Sequence, residues 1–167
     1  VSMSALKKIL YAIDRVVFKI AYGIEFLTTA VLLIAVTLQV FTRYVLRSPL
    51  RWTTELCCFM LIYSVFIGGA IALRQGEHVY LDISKIKMPG FLRTTFHVIS
   101  HLAVYFFIIV TFYYGLQLSI SNMGSLSEAM KFPYGYIYMI LPISAAMMFL
   151  GYTVNLLKKT DQEVAEE

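Results

Sequence analysis

Four long stretches without a charged side chain constrain this chain more than any other feature. They cover residues 26–42, 56–73, 94–127 and 132–157. A helix needs about 20 mostly apolar residues to cross the roughly 30 Å of hydrocarbon in a bilayer. The third stretch is longer, but its end is polar and typical of a loop. The sequence therefore predicts an all-α integral membrane fold in a single domain, residues 1–167. Four transmembrane helices are expected at about 16–46, 49–73, 94–118 and 134–157, and Pro142 should kink the fourth.

The composition agrees with a membrane protein and leaves no room for a separate soluble domain. Hydrophobic residues make up 59% of the chain and charged residues 14%, whereas soluble domains carry about a quarter charged residues. The net charge of +4 is explained by lysines and arginines that anchor cytoplasmic loops, which disfavours nucleic acid as a partner. The adjacent Cys57 and Cys58 fit neither a redox nor a zinc pattern and are expected to pack.

Two amphipathic segments are expected at the membrane surface; the first either lies in the interface or rises steeply from it as one helix with a bend near Gly23. Residues 5–20 place their polar side chains on one helical arc, opposite isoleucine, leucine and valine. The arc consists of Lys7, Lys8, Tyr11, Asp14, Arg15 and Lys19. We expect its basic side chains to point toward phospholipid phosphates at the inner face. A second surface segment is predicted between helices 2 and 3, within residues 74–93. The acidic tail, residues 160–167, is predicted to be disordered.

Glu25 is the one acid inside an apolar run in the first half of the chain. It lies about 9 Å along the helix from Lys19, at 1.5 Å per residue. The spacing favours an interfacial partner for a neighbouring basic side chain. A proton or sodium site is the alternative, because ionisable residues within membrane segments often serve function.

Residues 43–56, RYVLRSPLRWTTEL, form a charged turn between the first two apolar runs. Ser48 suits an N-cap, and Pro49 suits the first helical position. Arg43 and Glu55 differ in depth by about 5 Å at 1.5 Å per residue, which predicts an ion pair that clamps the hairpin. Arg47 and Arg51 would then point outward toward an acidic binding protein or toward lipid headgroups.

Charge counting predicts that both termini lie in the cytoplasm. With the termini on one side, that side holds ten basic residues and the other holds four, and basic residues favour the cytoplasmic side. Three of the four exceptions are the arginines of the 43–56 turn.

No catalytic or cofactor-binding constellation is present in the sequence. His97 and His101 are spaced to share a helical face, but no acid or cysteine completes a metal site, so no metal is expected. A pair of interrupted helices around central polar ligands, typical of a transporter's own binding site, is also absent. The sequence therefore favours a scaffold over an enzyme or a self-contained transporter.

Three motifs in order carry a resemblance to a known family. The first contains Arg43, Tyr44, Ser48, Trp52, Thr53, Glu55 and Leu56. The second contains Gly68, Ala70, Arg74, His78, Val79, Leu81 and Asp82, and the third contains Pro133, Gly135, Tyr136, Tyr138 and Pro142. Together they resemble the small membrane subunit (Q-type, DctQ-like) of tripartite ATP-independent periplasmic (TRAP) transporters. Thr54 stands where that family often has a second acid.

The resemblance implies a role for the chain. The family's small subunit is a static scaffold for a large elevator-type membrane subunit that holds substrate and sodium. A periplasmic binding protein delivers an organic acid, of the C4-dicarboxylate or sialic acid type, and no cofactor is involved. The expected location is the bacterial inner membrane.

Two other functions stay open on the residues alone. One is a membrane anchor subunit of a redox enzyme, which the placement of the histidines disfavours. The other is a small homodimeric exporter, which would use a central acid, for which Glu25 is the candidate.

Overall fold

The computed structural model describes residues 3–48, 50–75 and 90–166, and within these ranges every side chain except those at 3–6, 90–94, 96, 97 and 158–166. Over this part of the chain the backbone forms five helices. They are α1 (Met3–Tyr44), α2 (Arg51–Gln75), α3 (Gly90–Ser121), α4 (Tyr134–Tyr138) and α5 (Ile140–Glu166).

Four segments of the described chain are long and apolar enough to cross a membrane. They are Lys7–Tyr44, Arg51–Gln75, Val98–Ser121 and Tyr134–Leu157. The predicted all-α fold with four crossings is therefore confirmed. The predicted surface segment between the second and third crossings lies mostly outside the described residues.

The first amphipathic segment and the first transmembrane helix are one continuous helix. α1 has 42 residues, about 63 Å at 1.5 Å per residue. No proline interrupts it, and a β-carbon at Gly23 would meet nothing within 4 Å. A single open glycine lowers helix propensity without breaking the helix, so the surface segment extends the transmembrane helix instead of being separate from it.

The start of α2 differs slightly from the prediction. The helix begins at Arg51, and the hydroxyl of Thr53 donates to the carbonyl of Leu50 at 2.7 Å. The backbone N–H of Ser48 instead donates to the carbonyl of Thr42, at 3.2 Å. Ser48 therefore belongs to the turn that closes α1 and is not the cap of α2. Pro49 lies outside the described residues.

The fourth crossing is interrupted at Met139, between α4 and α5. Pro142 follows three residues later, and a proline has no N–H to offer the carbonyl four residues before it, here that of Tyr138. This matches the expectation that Pro142 disturbs the helix. The chain then stays helical to Glu166, so the prediction of a disordered tail is wrong. Lysine, glutamine, glutamate and alanine are good helix formers, and they extend a helix that is already nucleated.

α5 is the central element of the bundle. It packs against both α2 and α3, whereas α1 packs mainly against α2. The core is built from apolar residues of these helices, among them Ile67, Ala70, Ala145 and Met148. At Gly69 a β-carbon would lie 3.2 Å from Cε of Met148. The missing side chain therefore leaves room for Met148 of α5 against α2.

Candidate functional site

The loop between α3 and α4 is tied to α2 by a single carboxylate. Oε1 of Glu55 accepts a hydrogen bond from the backbone N–H of Ala129, and Oε2 accepts one from Met130, both at 2.9 Å. Two bonds from consecutive amides to one ionised group are stronger than neutral bonds and fix the loop's orientation. We call residues 122–133 the clasped loop. It lies at the same end of the bundle as the α1–α2 turn. We call this end of the bundle the hairpin end.

The clasped loop also holds itself together. Ser127 is fully buried, its N–H donates to the carbonyl of Phe132 at 2.9 Å, and its Oγ accepts from the N–H of Phe132 at 3.2 Å. Lys131 adopts φ 55°, which is uncommon for a residue other than glycine. Because its backbone groups are paired, the loop presents a defined surface.

The predicted ion pair between Arg43 and Glu55 is not found. Glu55 is engaged by the clasped loop, and the guanidinium of Arg43 lies 6.0 Å from the ring centre of Tyr44. The hairpin is joined instead by Gln39, whose Nε2 donates to Oγ1 of Thr54 at 2.9 Å. Depth along the helices did not predict this contact, because the rotation of each helix decides which side chains face each other.

The arginines proposed for docking lie at the hairpin end. Arg47 and Arg51 are exposed, and Arg47 has φ 50°. Arg51 lines an open cavity of about 310 Å³ together with Glu55, Glu128 and Ala129. The cavity lies between the start of α2 and the clasped loop, and both basic and acidic side chains line it.

A buried ion pair near the other end was not anticipated from the sequence. Asp14 is 1% exposed, and both of its oxygens accept from Nε of Arg74 at 3.1 Å, while Nη2 donates to Oδ2 at 2.8 Å. The guanidinium also lies 4.6 Å from the ring centre of Phe18. At Gly151 of α5, a β-carbon would lie 2.7 Å from Cζ of Phe18 and 3.0 Å from Cβ of Arg74. We call Asp14, Phe18, Arg74 and Gly151 the inner polar cluster.

The sequence held one signal for this cluster. Asp14 is the only acid in residues 5–20, where every other charge is basic. An acid in such a segment suits a specific partner more than a lipid surface. The amphipathic arc placed it with Lys8, Arg15 and Lys19, which are exposed, and with the partly buried Lys7. Asp14 is therefore buried and does not share the exposed face of Lys8, Arg15 and Lys19.

Glu25 lies between α1 and α2 and pairs with hydroxyl groups. Its Oε1 accepts from Oγ of Ser64 at 2.6 Å and from Oγ1 of Thr29 at 3.1 Å. Among the described residues its Oε2 is buried and has no hydrogen-bond partner. The expected contact with a neighbouring basic side chain is therefore replaced by one with α2, because Glu25 points toward the adjacent helix.

His101 contacts the hydroxyl of Tyr152 through Nδ1, and the side chain of His97 lies outside the described ones. Among the side chains that the structure describes, no group of three His, Cys, Asp or Glu is placed to hold a metal ion.

The comparison with protein families decides what kind of chain this is. The model of the DctQ component of tripartite ATP-independent periplasmic transporters matches residues 32–162. The chain belongs to this family. DctQ components are multi-pass membrane subunits of TRAP transporters and are not enzymes. The redox anchor and exporter alternatives therefore fall away.

Two curated relatives of this DctQ chain are sialic acid TRAP transporter proteins. The permease protein SiaT of Haemophilus influenzae is 28% identical over 120 residues, which are 68% of this chain and 18% of SiaT. The small permease protein SiaQ of Vibrio cholerae is 35% identical over 75 residues, which are 42% of this chain and 43% of SiaQ. The matched regions thus span less than half of each relative.

The DctQ motif residues fall into two places in the fold. Trp52, Pro133 and Tyr138 lie at the hairpin end; Trp52 is 41% exposed, and Pro133 bridges to Leu126 across the clasped loop. Arg74 belongs to the inner polar cluster. The rings of Tyr138 and Tyr134 stack at 6.1 Å, and Pro142 is buried beside Gly115. His78 and Asp82 lie outside the described residues.

Proposed function

We propose that this DctQ chain is the static scaffold subunit of a sodium-driven TRAP transporter, bound to a large elevator-type membrane subunit. One observation carries the proposal: the matched region is only 18% of the SiaT permease. The relative therefore joins a DctQ-like part to a much longer remainder. The DctQ part described here would pair with such a large membrane subunit.

The surfaces of the chain support a scaffold. Two grooves among the described residues, of about 470 and 500 Å³, both include Phe66 and Phe107; the second is lined by apolar side chains and the first also by Thr111, Gln117 and Ser121, with no charged side chain in either. A site for an organic anion needs placed polar groups. These grooves are better suited to apolar partners, so substrate would be held by the large subunit.

The substrate class follows from the two relatives. Both are named for sialic acid, so we propose a sialic acid as substrate, with a C4-dicarboxylate as the other family type. A periplasmic binding protein would deliver it to the hairpin end, where Arg47 and Arg51 meet acidic groups. Rim charges of this kind mainly raise association rates and fix register.

The location follows from the same proposal. The chain would lie in the bacterial inner membrane with both termini in the cytoplasm. Lys8, Arg15 and Lys19, with Lys7, would contact phospholipid headgroups at the inner face.

The scaffold is tested by co-expressing this chain with a large TRAP membrane subunit. We expect the two to co-purify, and vesicles with both to take up radiolabelled N-acetylneuraminic acid when sodium and a sialic acid-binding protein are supplied. Succinate in place of the sialic acid distinguishes the two substrate types. Uptake by the large protein at the same rate without this chain would contradict the scaffold role.

The docking proposal needs a separate experiment. Replacing Arg47 and Arg51 by glutamate should lower binding-protein-dependent uptake and its salt sensitivity. A matched control is Lys8→Glu with Arg15→Glu, which reverses two exposed charges at the other end. Equal uptake by the hairpin variant and the wild type would remove the docking claim and leave the scaffold claim standing.

A further inference from the structure

Glu25 places a carboxyl group inside the membrane. Its partner Ser64 lies thirteen residues from Arg51, the first residue of α2, which is about 20 Å along the helix at 1.5 Å per residue. The hydrocarbon is about 30 Å thick, so the contact lies within it, in the half farther from the hairpin end. Water is not available there to complete the hydrogen bonding of a polar atom.

The two carboxylate oxygens have unequal surroundings. Oε1 accepts from the hydroxyls of Ser64 and Thr29, whereas Oε2 is buried without a hydrogen-bond partner among the described residues. On the α2 side the group lies against Gly68, where a β-carbon would be 3.6 Å from Oε1 and 4.0 Å from Oε2. α2 therefore offers bare backbone beside the whole carboxyl group, slightly nearer to Oε1 than to Oε2.

The neighbouring titratable groups are engaged elsewhere. Arg74 of α2 binds Asp14, the hydroxyl of Tyr22 accepts from Gln75 at 2.6 Å, and Tyr152 of α5 contacts His101. The observed contacts supply hydroxyl groups to Glu25 and no positive charge. An uncompensated carboxylate in hydrocarbon costs several kcal/mol, because burying a charge without a counter-charge is unfavourable.

We propose that Glu25, Thr29 and Ser64 bind a monovalent cation, H⁺ or Na⁺, at Oε2 of Glu25. A carboxylate with two hydroxyl oxygens is a donor set for a hard cation, and Oε2 is equally a position at which a proton completes the carboxylic acid. Either cation removes the negative charge from the hydrocarbon. The inference concerns residues of this chain alone and stands independently of the scaffold role.

The test is chemical modification of the whole chain in phosphatidylcholine vesicles. Dicyclohexylcarbodiimide dissolves in the bilayer and reacts with a carboxyl group that carries its proton. The carboxyl O–H adds across one C=N bond, and the adduct rearranges to an N-acylurea that retains every atom of both reactants. Peptide mass mapping then locates the modified residue.

In sodium-free buffer we expect Glu25 to be modified about tenfold faster than Glu55 or the exposed Glu128, because the proposed proton at Oε2 is what the carbodiimide requires. Glu25→Gln should abolish that product and still fold, because its amide oxygen keeps the two hydroxyl bonds. If sodium chloride slows the reaction and potassium chloride does not, the site binds sodium. A reaction indifferent to sodium identifies a proton site.

The proposal is overturned if Glu25 reacts no faster than Glu128. Access is checked with Glu25→Cys in a background of Cys57→Ser and Cys58→Ser, using a bilayer-soluble maleimide. Labelling of that cysteine shows that the reagent reaches the position, so that an unreactive Glu25 speaks against the cation. In the Ser64→Ala variant Glu25 should still react with the carbodiimide, and any protection of Glu25 by sodium should be weaker. If sodium protects Glu25 equally well in this variant, Ser64 is not part of the site.

Discussion

Single carboxylates join distant parts of this chain. Glu55 holds the clasped loop through two backbone amides, Asp14 holds Arg74, and Glu25 holds Ser64. Each contact links segments at least 39 residues apart. In a membrane protein with 14% charged residues, these few contacts define which helix faces meet.

Replacing Glu55 by glutamine should loosen the clasped loop. The amide keeps one acceptor oxygen, so one of the two backbone N–H groups of Ala129 and Met130 loses its partner. We expect the midpoint of thermal unfolding in detergent to fall by a few degrees, and amide exchange in residues 126–132 to accelerate.

Two controls separate this from the ion pair that the sequence predicted. Glu128→Gln makes the same chemical change at an exposed position of the same loop, and it should leave the midpoint unchanged. Arg43→Gln should also have little effect. A large loss of stability with Arg43→Gln would show that Arg43 and Glu55 pair after all.

Breaking the ion pair of the inner polar cluster should be costly. Removing one partner of a buried pair costs about 3–5 kcal/mol, because the other charge stays buried without compensation. We expect Arg74→Gln, which leaves the buried Asp14 unpaired, to lower unfolding stability by an amount in this range, and Asp14→Asn to lower it by less, because the Arg74 side chain is 23% exposed. The double variant should lose less than the sum of the two.

Arg15→Gln is the matched control for that double-mutant cycle, since Arg15 is exposed one residue from Asp14. It should stay within about 0.5 kcal/mol of the wild type. Additive losses in the double variant, measured by denaturant unfolding in detergent, would contradict coupling between Asp14 and Arg74.

Helices in this bundle depend on glycines at close crossings. At Gly115 of α3 a β-carbon would lie 2.6 Å from Cβ of Leu141 and 3.3 Å from the backbone nitrogen of Pro142. Backbone atoms cannot give way as a flexible side chain can. The α3–α5 contact therefore requires glycine at this position, whereas Gly23 of α1 has open space around it.

A pair of identical substitutions tests this difference. Gly115→Ala should lower unfolding stability by about 1–3 kcal/mol, the usual cost of overpacking, despite alanine's higher helix propensity. Gly23→Ala gains the same propensity without a clash and should be neutral or stabilising by up to about 1 kcal/mol. Equal effects at both positions, measured by denaturant unfolding in detergent, would disprove the close crossing.

The sequence predicted elements better than contacts. Charge-free length indicated all four crossings, and Pro142 indicated the interruption near Met139, because both depend on local chain chemistry. The partners of Glu55, Glu25 and Asp14 depend on how each helix is rotated and on which loop folds back over it. Sequence spacing gives depth along a helix, but it does not give that rotation.

As a whole, the molecule is a hairpin of α1 and α2 packed on α5, which also holds α3. Four crossings put the two termini on one side of the membrane. The basic residues counted on that side favour the cytoplasm.

The orientation is tested with reporters fused after Lys159. We expect a green fluorescent protein at this point to fluoresce and an alkaline phosphatase to be inactive, because the first folds in the cytoplasm and the second requires the periplasm. Insertion of alkaline phosphatase after Gly124, in the clasped loop, is the converse control and should be active. The reverse pattern would invert the topology.

The length of α1 limits how the chain can tilt in a bilayer. Transmembrane helices tilt by up to about 40° from the membrane normal, and at that angle about 26 residues cross 30 Å of hydrocarbon. Counted back from Tyr44, the crossing ends near Lys19, so the segment before it extends past the lipid tails. Asp14 in that segment is tied to Arg74. This contact holds the extended segment against α2, so in a membrane of different thickness α1 and α2 must tilt together rather than singly.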